Sequence, residues 1–325
     1  MKLLDHYREW RKMAEKILKE EVENLKPLKF KAIAFTGMGG SGIVGDYVKS
    51  FLQDVSRTPI IVVKDLYLPT WIGKDWLVVA VSYSGNTSET LSAVKEALSK
   101  EAYVAAVSSG GKLLELMDKE RLPYVKVGGG YAPRSALPLL LYASLKLLDE
   151  LGLSIPMNQV QESLDVLGGV KEAEDEGKSI AEALKGYTPI IVSDVRYEAL
   201  AWRFKSELNE NAKIVAKCET VPESMHNDVE GYEEASSKFK ALLLSAHDDT
   251  VYTKVLEKFI EELLKEKGFK PYRLELKGKG RLAKLMHGAH VAGFTSLYLA
   301  EKRKVEPVKV ELIARYRKFL EEALP

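Results

Sequence analysis

Leu77-Val78-Val79-Ala80-Val81-Ser82-Tyr83-Ser84-Gly85-Asn86-Thr87 begins as an unbroken apolar run and ends as a hydroxyl-rich loop around one glycine. The run has strand length and no polar alternation, which predicts a strand covered on both faces. Beyond Thr87 the apolar spacing becomes helical, so the loop is read as a strand-to-helix junction. A strand feeding a helix through a short loop is the building block of a parallel sheet.

The same alternation extends outward in both directions. Strands are predicted at Ala32–Phe35 and Ile60–Val63 before this stretch, and at Tyr103–Val107 and Tyr124–Val127 after it. Leu3, Leu4, Tyr7, Trp10, Ala14, Ile17 and Leu18 recur at helical spacing and predict an amphipathic opening helix within residues 2–25. A helix over Ser135–Leu151 carries Pro138 near its start, predicting an irregular beginning, and Gly152 offers its stop. A polar, helical connecting segment covers about 153–186. A second alternation then places strands at Ile190–Val192, Lys213–Ala216, Ala241–Ser245 and Tyr272–Leu276, before a last helix from about Val310 to Leu324. At 325 residues the chain exceeds the usual size of one core. The fold class is therefore α/β with two parallel-sheet subdomains, residues 1–153 and 154–325.

Composition narrows the function classes. With 48 basic and 47 acidic residues there is no surplus charge for nucleic acid. No apolar run reaches the ~18 residues of a membrane span, and the charged residues between Lys2 and Glu9 leave no signal-peptide core. Cys218 is the single cysteine, so an internal disulfide is ruled out and a reducing, cytoplasmic setting is expected.

Gly37-Met38-Gly39-Gly40-Ser41-Gly42 follows a predicted strand and opens a helix, where free backbone N–H groups accept an anion. These glycines also match the dinucleotide fingerprint GxGxxG, with Asp65 near the end of the next strand as the ribose-binding acid. The hydroxyls of Ser82, Ser84, Thr87, Ser88 and Thr90 crowd the second junction, and a phosphate dianion is held by such donors beside a helix N-terminus. Helix capping would explain one or two of them. Phosphate recognition and nicotinamide binding thus both remain open on these loops alone.

The two loops together resemble the sugar isomerase (SIS) family. Tyr131-Ala132-Pro133-Arg134, Leu208-Asn209-Glu210-Asn211-Ala212-Lys213 and Pro222-Glu223-Ser224-Met225-His226-Asn227 are similar to motifs of its bifunctional phosphoglucose/phosphomannose isomerases. The resemblance implies two SIS subdomains, a homodimer, and conversion of glucose 6-phosphate or mannose 6-phosphate to fructose 6-phosphate, with no metal or other cofactor. It places Gly39, Gly40, Ser41, Ser82, Ser84 and Thr87 at the substrate phosphate, and Arg134, Glu210 and His226 at the chemistry. In this family the histidine is expected to reach the pocket of the neighbouring subunit. The family's C-terminal lysine has Arg317 as its counterpart by spacing, with Lys318 beside it. Arginine keeps the charge but not a readily titrating proton.

Three tasks follow for an aldose-ketose isomerase: a carboxylate base such as Glu210, a fixed cation such as Arg134 for the enediolate, and a proton exchanger such as His226 for ring opening. His287 and His290 stand three apart on a predicted helix, but without a neighbouring acid or cysteine to complete a metal set they read as structural. A phosphosugar sensor would use the same loops without catalysis, and Glu210 with His226 argues against it. An NAD-dependent oxidoreductase would leave the hydroxyl-rich loop unexplained.

Overall fold

In a computed structural model, residues 2–234 and 238–323 are described. The chain divides into two compact units, the first formed by 1–170 and 277–287, the second by 171–276 and 288–325.

The first unit contains α1 (Lys2–Arg8), α2 (Trp10–Ile17), β1 (Ala32–Thr36), α3 (Gly39–Leu52), β2 (Ile60–Val63), β3 (Trp76–Ser82), α4 (Ser88–Ser99), β4 (Tyr103–Ser108), α5 (Gly111–Lys119), β5 (Tyr124–Lys126), α6 (Leu137–Glu150) and α7 (Met157–Leu167). Its sheet is wholly parallel in the order β2-β1-β3-β4-β5. Every residue of β1 is buried, and β3 and β4 are buried beyond their first residue, as a sheet clothed on both faces requires. Ala34, Val78, Ala80, Val104 and Ala106 share one face with Ala93, Val94 and Ala97 of α4 and with Leu113 and Met117 of α5. The small alanines along this face let the helices lie close to the strands.

The second unit contains α8 (Val170–Leu184), β6 (Thr188–Asp194), α9 (Glu198–Ala212), β7 (Lys217–Val221), β8 (Phe239–Ala246), α10 (Val251–Glu266), β9 (Tyr272–Leu276), α11 (Arg281–Arg303) and α12 (Glu311–Ala323), with the first turns of α11 belonging to the first unit. Its parallel sheet runs β7-β6-β8-β9. Val192, Val221, Ala241 and Leu243 pack against Ile260 and Leu264 of α10. The two sheets share one neighbour pattern, in which the first strand lies between the second and the third. In such a sheet the connections on either side of the first strand diverge, leaving a crevice at the carboxyl ends of the first and third strands.

The second unit's crevice is filled from within. Arg196 Nε donates to Asp194 Oδ1 and its Nη2 to Asp249 Oδ1, both at 2.8 Å, and Thr253 Oγ1 donates to Asp194 Oδ2 at 2.6 Å. Burial alone would raise Asp194, but hydrogen bonds from Arg196 and Thr253 outweigh it and hold the carboxyl below its usual range. Two carboxylates already matched by one guanidinium give an anion no attraction.

Glu257 lies under this cluster. Burial pushes its carboxyl up to about 7, opposed by the hydrogen bond from Arg273 Nη1 at 2.9 Å and reinforced by Asp249 and Asp194. Its Oε1 is buried with no hydrogen-bond partner among the described residues. The folded value lies above the unfolded one, so the native state holds the proton more tightly. The stability this group provides is complete below about 4.5 and is lost as pH rises through about 7. Thermal melts across this range are therefore expected to show stability falling by on the order of 2 kcal/mol between pH 5 and 8. Glu257→Gln is expected to flatten that slope.

Strand and helix positions follow the sequence closely, with two exceptions. The strand expected at Lys213–Ala216 is absent, because α9 runs through Ala212 and Lys213 ends it in the left-handed conformation (φ 53°). The true strand begins at Lys217, and Val215 is exposed. The opening helix is interrupted at Glu9 and stops after Ile17, well short of residue 25. The connecting segment 153–186 is helical as expected, formed by α7 and α8. The helix expected over Ser135–Leu151 does start irregularly, with a 3₁₀ turn at Pro133–Ala136, and Gly152 follows its end at φ +96°. The last helix is described to Ala323, so the expected end at Leu324 lies outside the described residues.

Candidate active site

In the first unit the loops that leave β1 and β3 meet at the crevice. Gly37 and Gly42 make this approach possible: a Cβ on Gly37 would lie 2.5 Å from Val81 O, and one on Gly42 2.5 Å from Gly37 O. Gly39, the first residue of α3, takes φ +54° and faces open space. Met38 precedes it as N-cap without a side-chain hydrogen bond, so the helix end is left for another partner. Ser41 is buried, and its Oγ accepts the N–H of Tyr83 at 2.9 Å, joining the two loops.

Ser82 Oγ and Thr87 Oγ1 lie 3.0 Å apart, and Gly85 N–H donates to Ser82 Oγ at 3.2 Å. Thr87 is the N-cap of α4 and makes no capping hydrogen bond. Its hydroxyl is turned to Ser82 rather than to its own helix, so capping does not account for it. Ser84 is exposed, and its Oγ accepts Asn86 N–H at 3.3 Å. Thr90, by contrast, is buried on α4, its Oγ1 without a hydrogen-bond partner among the described residues, and belongs to the helix face rather than the loop.

Were Thr87 a cap, its loss would cost about 1 kcal/mol of stability. Thr87→Val is instead expected to leave the unfolding midpoint nearly unchanged. It should raise KM for a phosphosugar about tenfold, the equivalent of one hydrogen bond to a charged group.

The segment bearing Arg134 lies against the glycine loop. A Cβ on Gly40 would come within 3.0 Å of both Arg134 N and Pro133 C. Arg134 is buried, 5% exposed, within the 3₁₀ turn. The next residue is held from the other side: Trp10 Nε1 donates to Ser135 O at 2.9 Å, and His6 Nδ1 lies 3.2 Å from Ser135 Oγ. The two loops and the Arg134 segment thus form one connected group within the first unit.

Glu210 stands in the last turn of α9, half-buried. Asn209 Nδ2 donates to Ile214 O at 2.7 Å, and Lys213 Nζ donates to Glu210 O at 2.5 Å and also to Lys309 O. The Asn209-to-Lys213 motif is a helix-end clip that fixes the backbone under Glu210 and draws in the segment before α12. Behind it, Arg203 pairs with Glu207 and Asn211 Nδ2 donates to Glu207 Oε2 at 2.7 Å, all buried. His226 ends the 3₁₀ turn Glu223–His226 after the cis Val221–Pro222 peptide; its ring is exposed and makes no hydrogen bond or ion pair among the described residues. Arg317 and Lys318 are both exposed on α12, Lys318 with Glu322 at 3.7 Å.

Asp65, expected as a ribose ligand, is exposed after β2 and accepts Leu66 N–H at 2.6 Å. His287 accepts Lys277 N–H on Nδ1 and His290 stacks on Phe294; both are buried, and no metal-holding group of His, Cys, Asp or Glu occurs among the described residues. No helix is long and apolar enough to cross a membrane among the described residues. In the sequence Tyr83 stands out only as the one aromatic within the hydroxyl loop.

A parallel sheet with two joined, hydroxyl-bearing helix N-termini at its crevice defines a protein of the sugar isomerase domain class. Residues 28–112 match the SIS domain, and residues 173–320 match the bacterial phospho-glucose isomerase C-terminal SIS domain. The C-terminal domain of glucosamine-fructose-6-phosphate aminotransferase from Francisella tularensis has the same fold, with TM-score 0.76 over 94% of this chain and 98% of that one at 15% identity. The bifunctional phosphoglucose/phosphomannose isomerase of Aquifex aeolicus is 35% identical over 90% of this chain and 91% of its own. The D-glucosamine-6-phosphate 4-epimerase of Sulfolobus acidocaldarius is 29% identical over 96% of this chain and 95% of its own. This chain belongs to the bifunctional phosphoglucose/phosphomannose isomerase family.

Proposed function

We propose that this chain interconverts glucose 6-phosphate and mannose 6-phosphate with fructose 6-phosphate by proton transfer through an enediol. Membership of the family, with relatives of that name matching along nearly the whole chain, is the observation that carries the reading.

The amides of Gly39 and Gly40 and the hydroxyls of Ser41, Ser82, Ser84 and Thr87 hold the phosphate. Uncapped helix ends favour a dianion there. Glu210 takes the proton from the carbon beside the carbonyl and returns it to the neighbouring carbon, while the hydroxyl proton passes from one of the two oxygens to the other, so no proton is gained or lost. Glucose and mannose substrates give the same enediol because they differ only in configuration at the carbon that loses its proton, and one carboxylate serves both when the enediol turns either face of that carbon to Glu210. Arg134 stabilises negative charge as the enediolate forms, a task suited to a guanidinium that keeps its charge.

His226 exchanges the proton of ring opening, and we place it in the site of a second copy within a homodimer. Its exposure, with no hydrogen bond or ion pair to it among the described residues, supports this. Leu312, Tyr316 and Phe319 of α12 are also exposed and give such a dimer apolar surface to bury. Arg317 and Lys318, on the same helix, are proposed to complete the charge around the ring oxygen.

Incubation with fructose 6-phosphate, without metal or nicotinamide cofactor, is expected to yield both glucose 6-phosphate and mannose 6-phosphate. Absence of either aldose overturns the reading. Formation of a C4 epimer from glucosamine 6-phosphate with no aldose from fructose 6-phosphate would move the chain to the epimerase chemistry named for its Sulfolobus relative.

A further inference from the structure

Val127 is followed by three consecutive exposed glycines, Gly128, Gly129 and Gly130, and then by the Tyr131-Ala132-Pro133-Arg134 segment. The space beside these glycines is open: a Cβ built on any of them would meet nothing within 4 Å, and Gly130 takes φ +92°. A triglycine run samples more backbone states than any other tripeptide. Arg134 is nevertheless buried, so something must fix the chain that leads to it.

The phenol of Tyr83 spans the run. Its hydroxyl donates to Gly128 O at 3.0 Å and accepts the N–H of Tyr131 at 2.9 Å, gripping both ends of the flexible stretch with one oxygen. The rest of the residue is equally committed. Its N–H donates to Ser41 Oγ, and its carbonyl accepts Ser109 N–H at 3.0 Å and Ser109 Oγ at 2.6 Å. Tyr83 is only 7% exposed, and burial pushes its phenol above the ordinary range, so the hydroxyl keeps the proton it donates. It lies in sequence between Ser82 and Ser84, the two serines of the phosphate loop.

We propose that Tyr83 is a positioning residue that locks the triglycine segment, and with it the Arg134 guanidinium, in register with the phosphate loop. The assignment rests on the isomerase reading for Arg134 and on geometry alone for the clamp. A fixed cation contributes to the rate only if it is in place before charge develops, and a displacement of about 1 Å can cost ~10²-fold. Phosphate recognition uses hydroxyls and amides that do not depend on the phenol.

The test is Tyr83→Phe in the full chain, which keeps the ring and removes only the hydroxyl. The expected result is a kcat for fructose 6-phosphate lowered roughly 30-fold, within the range for a misplaced group. KM and the inhibition constant of inorganic phosphate should stay within about threefold of the parent. Tyr142→Phe is the control: its buried hydroxyl bonds Ser163 Oγ at 2.7 Å elsewhere in the same unit, and its loss should leave kcat unchanged. In hydrogen exchange, peptides covering 128–134 should exchange about tenfold faster in Tyr83→Phe, reporting the opened clamp whether or not the protein turns over. Adding Gly129→Ala, which fits the open space around that residue, should recover part of the lost kcat by stiffening the run.

Unchanged exchange at 128–134 overturns the clamp. A kcat loss no greater than that of Tyr142→Phe, or a rise in KM and phosphate inhibition constant with kcat intact, overturns the positioning role. If the parent protein forms no aldose, the functional reading fails while the exchange measurement still decides the clamp.

Discussion

Glu210→Gln is expected to lower kcat for fructose 6-phosphate by ~10²–10⁴, the usual worth of a general base, while leaving KM within a few-fold. Glutamine keeps the size and the hydrogen-bonding shape of the side chain and removes its ability to accept the substrate proton. The helix end around it should survive, because Lys213 Nζ bonds the backbone carbonyl of Glu210 and Asn209 bonds Ile214 O, neither through the carboxylate. Steady-state kinetics paired with thermal unfolding separates the two effects. Turnover within tenfold of the parent would mean that another group removes the proton.

Gly85→Ala is expected to abolish phosphosugar binding and to lower stability by about 3–5 kcal/mol, in the range reserved for strained or overpacked sites. Gly85 takes φ +69°, a conformation that costs an L-residue about 1–2 kcal/mol by itself. The added Cβ would sit 1.8 Å from Gly110 O, a backbone atom with little freedom to retreat. Gly111 is equally confined on the other side, since a Cβ there would lie 2.5 Å from Ser84 O. The loop after β3 must then lift away from the loop after β4, taking Ser82 and Ser84 with it. Calorimetric titration with fructose 6-phosphate, with denaturation of the same sample, tests this directly. Normal affinity in a normally stable Gly85→Ala protein would show that the loop tolerates displacement. The contrast with Thr87→Val is diagnostic, because that change should weaken binding without weakening the fold.

The candidate site was unevenly legible. The grouping of Ser82, Ser84 and Thr87 at one junction is legible because the three lie in a short stretch next to a strand, where sequence neighbours are also spatial neighbours. Thr90 was grouped with them wrongly: one helical turn carries its side chain to the buried face of α4. The glycine loop was ambiguous because dinucleotide and phosphosugar sites place the same backbone demands on it. Asp65 then accepts a local backbone N–H, and the chain's relatives are sugar-phosphate enzymes. Lys213–Ala216 reads as a strand because local apolarity does not reveal that Asn209 and Lys213 close the preceding helix there.

The sequence by itself determined the order of strands and helices, the parallel class of both sheets and the hydroxyl-rich character of one strand-to-helix loop, since period and turn chemistry are local properties. Tertiary structure alone decided that the loops after β1 and β3 share a crevice, because strand neighbours are chosen by packing across the chain. It also decided that the corresponding crevice of the second unit is closed by Asp194, Arg196 and Asp249, residues 55 apart at the extremes by their numbers. The hydroxyl of Tyr83 reaching across a triglycine run to fix Arg134's segment belongs to the same category: hydrogen bonds between residues nearly 50 apart leave no periodic trace in a sequence.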